Sequence, residues 1–593
     1  MLNVKHNRLN YGEMLTPPAG YSLAKAIGTT YSLDLFALLA IPVSMFYSKS
    51  MEGDFSQNRY DVLDAIRRSK EKIDLFCQRG KIHVPSKYNS LLAFMEECII
   101  EINPPAFNAS FHPKIWVLKF ESKKEVLSRL VVLSRNLTFD RSWDIAVYTE
   151  GKPTDNKQPD SENLVEYLKE IYSYSGKEYS NDLMRELSTV DFSIPNFFKS
   201  INIFPILNFD KKDTRFKNPL KDKIYDDLLI ISPFVDKSTL DNFKRSNKKF
   251  TLISRQEELD LLEPEILKGI DIYCLNPMVI SGEDIIDTEG NDEPLTQNLH
   301  AKIFIGSRQD ETEWFLGSAN CTDPAFSRNA EFLMGLKTDN KNSSLKTIKK
   351  ILLNDENNIF HRYFRKPIVN EEKIKIDHLL RKLNYVLTTS EYIGCFEKKR
   401  ETNNYDLILN AKIEEFKEEN FEIRVRLIHR NEPAYNVKFG MEQTFHFENI
   451  TLVNISQFII LDIYYFKEKQ SSVAVKMNVE IPEEREDVIF QNLINNKAKF
   501  YQYLQFLLSP EDFTESLLID DINKKDSFKN YSPDSLLHFS APVYENLLLA
   551  ASRNPEKLIE IERIMQRLEK CDSKIVEDFQ PIWNVFKEFA YVK

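Results

Sequence analysis

Residues 298–320 read NLHAKIFIGSRQDETEWFLGSAN, and residues 110–136 read SFHPKIWVLKFESKKEVLSRLVVLSRN. The order is the same in both. A histidine is followed two places on by a lysine, then come an apolar run, a polar turn, a second apolar run and a Ser-x-Asn ending. In each copy the apolar run after the histidine reads as a strand, and the asparagine belongs to the next one. Of nine histidines in the chain, only His112 and His300 have a lysine in that place.

Working outward, each copy is preceded by matching segments. DLLIISPFVD (227–236), KFTLISR (249–255) and IDIYCLNP (270–277) precede the second, while AIGTTYSLD (26–34) and KIDLFCQRG (72–80) precede the first. Apolar strand-like runs alternating with helical stretches imply an α/β fold with a sheet covered by helices, present twice. The intervening segment opens with an exposed loop, KPTDNKQPDSEN, and continues into helical and irregular stretches. Beyond about 370 the character changes. FEIRVRLIH (421–429) puts Phe421, Ile423, Val425 and Leu427 on one face and Glu422, Arg424 and Arg426 on the other, and SVAVKMNVEI alternates likewise, so a small β-sandwich is expected. The last hundred residues read as helical. Asn554 and Pro555 form a cap and first turn, and Leu558, Ile561, Met565 and Leu568 form one stripe, expected to pack on a core of its own.

The chain has 593 residues, 42% hydrophobic and 28% charged, the balance of a globular protein. Its six cysteines show no C-x-x-C pair or zinc-like spacing, which points to a reducing, cytoplasmic setting. MLNVKHNRLN lacks the apolar core of a secretory signal. The run LFALLAIPVSMF (35–46) is too short to span a bilayer and contains Pro42, so it is expected to be a buried element, with no membrane insertion. A net charge of −11 weighs against a polyanionic partner, although 211–223, KKDTRFKNPLKDK, and the stretch 346–366 are locally basic.

His, Lys and Asn together suit phosphoryl chemistry. A histidine on a strand attacks phosphorus or moves a proton. A lysine two residues on projects to the same face and neutralises a phosphoryl oxygen. Asn136 and Asn320, from the next strand, donate to charge developing in the transition state, with Ser134 and Ser318 beside them as phosphate-binding support. Two such half-sites facing each other divide the labour between nucleophile and acid/base, so no metal and no cofactor is required. Each histidine also needs a carboxylate to fix its tautomer. Asp144 in SWDIAVY and Glu331 in NAEFLMG stand in apolar, strand-like surroundings after the two motifs.

The paired H-x-K…S-x-N pattern resembles the phospholipase D superfamily over residues 20–340. The resemblance implies two similar α/β halves with the active site at their joint. It also implies each histidine oriented by the acid of the other half (Glu331 for His112, Asp144 for His300), His112 as nucleophile and His300 as general acid/base. The aspartate that the superfamily usually carries five residues past the lysine is Lys119 in one copy and Ser307 in the other. This form is closer to the tyrosyl-DNA phosphodiesterase branch, and GSANCTDPAFSRNAEFLMGL resembles bacterial phospholipase D-like proteins encoded beside helicases in anti-phage systems.

The expected organisation is a first phospholipase D-like half (1–151), a connector (152–223), a second half (224–368), a β-rich, sandwich-like domain (369–485) and a helical C-terminal region (486–593). The expected function is metal-independent cleavage of nucleic acid, DNA before RNA, in bacterial defence with a helicase-like ATPase partner. Homo-oligomerisation is left open by a sequence that carries both half-sites. Arg135, Lys211, Lys212, Arg215 and Lys217 are the candidate nucleic-acid contacts. A phospholipid hydrolase or transferase and a partner-dependent scaffold are the alternatives. Trp116, Trp314 and Cys321 are expected to be packing residues.

Overall fold

The computed structural model describes residues 11–46, 65–138, 142–209, 216–276, 298–353, 359–365, 371–494, 500–504, 547 and 556–587, apart from short gaps within these ranges. Two sheets dominate. The first is built from β1 (Ser22–Thr30), β2 (Ile73–Gln78), β3 (Ile99–Ile102), β4 (Ile115–Glu121), β5 (Val126–Leu133), β6 (Ala146–Pro153) and β7 (Val190–Phe192), in the order β7-β6-β5-β4-β1-β2-β3. The second contains β8 (Ser200–Leu207), β9 (Asp227–Ile231), β10 (Lys249–Ser254), β11 (Asp271–Leu275), β12 (Ile303–Arg308), β13 (Glu311–Gly317), β14 (Ala330–Thr338) and β15 (Phe360–Arg362), in the order β8-β14-β13-β12-β9-β10-β11-β15.

Six strands of each share one order, β6-β5-β4-β1-β2-β3 and β14-β13-β12-β9-β10-β11, and the sheets differ at their edges. β1, β2 and β3 run parallel, as do β9, β10 and β11. The motif hairpins β4–β5 and β12–β13 join them antiparallel through β1 and β9. The connector, read from sequence as loop, helix and irregular chain, also contributes an outer strand to each sheet: β7 pairs with β6, and β8 with β14.

Strand alternation decides what each face covers. In β9, Leu229 and Ile231 turn inward to a core shared with Ile27, Ile115, Val117, Ile303 and Ile305 of both halves, while Leu228 and Ile230 turn outward to a second core with Phe304 and Phe315. Strands buried on both faces read as continuous apolar runs, which accounts for DLLII. The connector helix α1 (Pro159–Ser175) inserts Leu164, Tyr167, Leu168 and Ile171 into the shared core, so the joint between the halves is packed interior.

The β-rich region folds as two sheets around one core, containing among others Leu407, Ile423, Val425, Ile459 and Val475. Its larger sheet takes two short strands of the first half, Leu33–Asp34 and Ile82–His83, onto its edge. Arg426, read from sequence as solvent-facing, is 6% exposed and lies 2.7 Å from Asp462, since the other face of its strand is covered too. The stripe Leu558, Ile561, Met565 and Leu568 is buried, but in a core shared with the outer face of the first sheet rather than one of its own. An amphipathic stripe states that one helix face is covered and leaves open by what. The proposed cap at Asn554–Pro555 lies outside the described residues. Leu35–Phe46 is a helix with Pro42 inside it, buried against the same core, and among the described residues no helix is long and apolar enough to cross a membrane.

Candidate functional site

His112 and Lys114 lie just before β4, and His300 and Lys302 just before β12, so the motif residues are outside the strands on which alternation would have placed them. What holds them is a bridge to the other half. The His112 N–H donates to the Ala330 carbonyl at 2.9 Å, and the Ala330 N–H donates to the Ser110 carbonyl at 2.9 Å. In mirror fashion, Asn298–Leu299 pairs with Ser142–Trp143, and the His300 N–H donates to the Trp143 carbonyl at 2.9 Å. Each histidine is therefore bonded, through its own backbone, to the residue immediately before an acid of the opposite half: Ala330 before Glu331, and Trp143 before Asp144.

On the first side the consequence reaches the side chains. His112 Nδ1 lies 2.8 Å from Glu331 Oε2. Glu331 is fully buried and is held by three further bonds. Ser318 Oγ donates to its Oε2 at 2.5 Å, Asn329 Nδ2 to its Oε1 at 3.1 Å, and the Tyr167 hydroxyl to its backbone carbonyl at 3.1 Å. A carboxylate oxygen in this place accepts from Nδ1 and so fixes the imidazole proton there, leaving Nε2 turned away from Glu331. Burial and the nearby Lys114 and Lys302 ammonium groups oppose the pull of Glu331, and the His112 pKa is lowered to about 4, so its ring is neutral at pH 7.

On the second side, Asp144 lies between the bridging pair and β6 rather than within a strand, and its Oδ2 is 3.3 Å from Arg135 Nε. Arg135 also donates to the Thr138 carbonyl at 2.8 Å, so this candidate nucleic-acid contact is engaged inside the site.

Both lysines are almost wholly buried, at 1% and 2% exposure. Lys114 Nζ donates to the His112 carbonyl at 2.8 Å, and Lys302 Nζ to the His300 carbonyl at 2.7 Å and across the joint to the Ser134 carbonyl at 3.1 Å. Burial first, and the Lys302 charge second, hold the Lys114 pKa well below the ordinary lysine value. Two buried cations that disfavour each other make a site that an anion would stabilise.

Asn136 and Asn320 follow the ends of β5 and β13, and the Oδ1 atom of each is buried without a hydrogen-bond partner among the described residues. Each of these oxygens is left able to accept a further hydrogen bond. Ser134 and Ser318 do not stand free beside a phosphate. Both are fully buried, Ser134 Oγ bonding the Ile145 backbone at 2.8 and 3.2 Å and Ser318 Oγ bonding Glu331 and the Phe332 N–H. Their task is to fasten the acid-bearing segment to the motif loop. Lys217 is exposed, while Lys211, Lys212 and Arg215 lie outside the described residues. Trp116, Trp314 and Cys321 are buried.

Sequence reasoning missed two residues. Asn329, besides bonding Glu331, accepts from the Ser110 N–H at 3.1 Å, and its place two before Glu331 in RNAEF was a readable signal. Tyr31 packs edge-on against the His112 ring with centroids 5.1 Å apart, and nothing in GTTYSLD distinguished it from a core aromatic. Among the described residues no group of three or more His, Cys, Asp and Glu side chains converges.

No family model matches the sequence, and no curated protein matches it. Among the solved structures similar to the chain is the polyphosphate kinase of Porphyromonas gingivalis, 12% identical with a TM-score of 0.31 over 63% of this chain and 50% of that one. The chain thus spans about half the length of that protein, and so slight a likeness carries no inference about activity.

Proposed function

We propose that the chain is a phosphodiesterase that hydrolyses nucleic acid with two histidines. The observation that carries this reading is the His112–Glu331 pair, closed across the joint between two half-units whose sheets share a six-strand order and flanked by two buried lysines. His112 Nε2 attacks phosphorus and the bond to the leaving oxygen breaks, with His300 giving that oxygen its proton. His300 then takes a proton from water, the water oxygen attacks phosphorus, and the phosphorus–nitrogen bond breaks to restore His112. Lys114, Lys302, Asn136 and Asn320 hold the non-bridging oxygens while charge develops on them. The motif form lacking the downstream aspartate favours nucleic acid over lipid as substrate.

The test is cleavage of labelled single- and double-stranded DNA and RNA in EDTA by wild type, His112→Ala and His300→Ala. Cleavage by wild type that both variants lose is the expected result and names the substrate. Cleavage that survives in either variant, or requires added magnesium, overturns the mechanism.

A further inference from the structure

Beyond the motif residues, the repeat makes a second set of positions comparable. Thr30 Oγ1 donates to the Ser32 carbonyl at 2.8 Å and accepts from the Leu137 N–H at 3.0 Å. Ser232 Oγ likewise donates to the Phe234 carbonyl at 2.7 Å and accepts from the Cys321 N–H at 2.9 Å. Thr30 and Ser232 therefore occupy the same place, just where β1 and β9 end. On the neighbouring parallel strands, the registers Thr30↔Cys77 and Ile231↔Ile253 make Gln78, the last residue of β2, the counterpart of Arg255, the residue after β10.

These counterparts differ in chemistry and share a target. Gln78 Oε1 accepts from the Phe111 N–H at 2.8 Å. Arg255 donates to the Leu299 carbonyl twice, from Nε at 2.9 Å and from Nη2 at 2.7 Å. Phe111 and Leu299 are the residues immediately before His112 and His300, and each already bridges to the opposite half, Phe111 to Ala330 and Leu299 to Trp143. Arg255 is itself braced, with its guanidinium 4.8 Å from the centroid of the Phe234 ring. A backbone held from both sides, by the other half and by its own sheet, leaves the next residue little freedom.

We infer that Gln78 and Arg255 are matched positioning residues, each fixing through one backbone group the pose of one histidine: Gln78 that of His112 and Arg255 that of His300. The inference rests on the hydrolase reading for its kinetic consequence and on geometry alone for its structural one. The two are separable. Gln78→Leu and Gln78→Glu remove and keep the acceptor, and Arg255→Met and Arg255→Lys remove both donors and keep one.

The full chain is assayed on bis(p-nitrophenyl) phosphate and single-stranded DNA in EDTA, and its histidine ring nitrogens are followed by NMR after selective 15N labelling. With folding intact by thermal melting, Gln78→Leu and Arg255→Met are expected to lose roughly 10²-fold in kcat with KM within about twofold, and the conservative variants to recover most of it. Gln78→Leu moves the His112 ring signals and leaves those of His300, and Arg255→Met does the reverse. Unchanged signals, or both histidines moving together in either variant as general loosening would produce, overturn the assignment. If wild type hydrolyses neither these probes nor double-stranded DNA or RNA, the hydrolase reading fails, and the ring signals alone decide whether the positioning stands.

Discussion

At His112 two influences oppose each other. Burial and two lysines drive the ring toward neutrality, while Glu331 draws it toward the imidazolium, and the outcome is a pKa of about 4. On the proposed mechanism the neutral ring is the nucleophile, so the acid limb of kcat/KM is expected below the ordinary histidine value of about 6.5, in a pH–rate profile of the free enzyme. The same shift has a stability sign. The unfolded ring binds a proton below about 6.5 and the folded one only near 4, so this contribution is whole above 6.5 and is lost as pH falls through that interval. Denaturation midpoints of wild type and His112→Asn at pH 7.5 and 5 should therefore converge toward the acid side. Glu331→Gln places an amide where three donors converge. It should lower kcat by roughly 10²-fold with little change in KM, measured on whichever substrate the cleavage assay identifies. Lys114 supplies a prediction that needs no turnover. An oxyanion seated between the lysines offsets the burial that holds the Lys114 pKa down, so vanadate should bind wild type at least tenfold more tightly than Lys114→Met in titration calorimetry.

Among the elements, the motif strands were legible because an apolar run repeated with the same polar landmarks, and their alternation with helical stretches announced a sheet covered by helices. Where the strands end was less legible. The serines, asparagines, histidines and lysines sit just outside them, in chain held by bonds to the other half. Alternation fixes faces within a strand and is silent one residue beyond it. Gly317 shows how tightly the second motif loop is set. Its φ is +151°, and a Cβ there would stand 2.2 Å from the Phe332 carbonyl oxygen, in the strand that carries Glu331. The first half places Leu133 at the same point, its N–H bonding the Lys114 carbonyl as that of Gly317 bonds Lys302, so the constraint belongs to one copy only. Gly317→Ala should cost about 2 kcal/mol in denaturant unfolding and lower activity by displacing Ser318 and Asn320.

For the whole molecule, the C-terminal regions are structurally joined to the first half. Arg485 Nη1 lies 2.7 Å from Glu96 Oε2, each residue 2% exposed, and Arg485 also donates to the Ala93 and Ile455 carbonyls while Ser456 Oγ donates to Glu96. Removing one partner of such a pair leaves a charge buried alone, so Arg485→Ala is expected to destabilise by about 3–5 kcal/mol in chemical denaturation. The double variant Glu96→Leu with Arg485→Met should recover much of the loss, because it removes both charges. A double variant as unstable as the single one would show that the hydrogen bonds to Ala93 and Ile455, not the charge pair, set the energy.

The sequence by itself determined the duplicated α/β plan and the matching positions of His112, Lys114 and Asn136 in one copy and His300, Lys302 and Asn320 in the other, because periodicity and repetition are local properties that survive divergence between the copies. Only the tertiary structure decided that Ser134 and Ser318 clamp backbone and acid instead of standing free, that Asn329 and Tyr31 complete the His112 surroundings, and that the C-terminal helices share the first sheet's core. Those are contacts between residues far apart in the chain. A hydroxyl, an amide or an apolar stripe declares what kind of partner it needs, and packing chooses which one it receives.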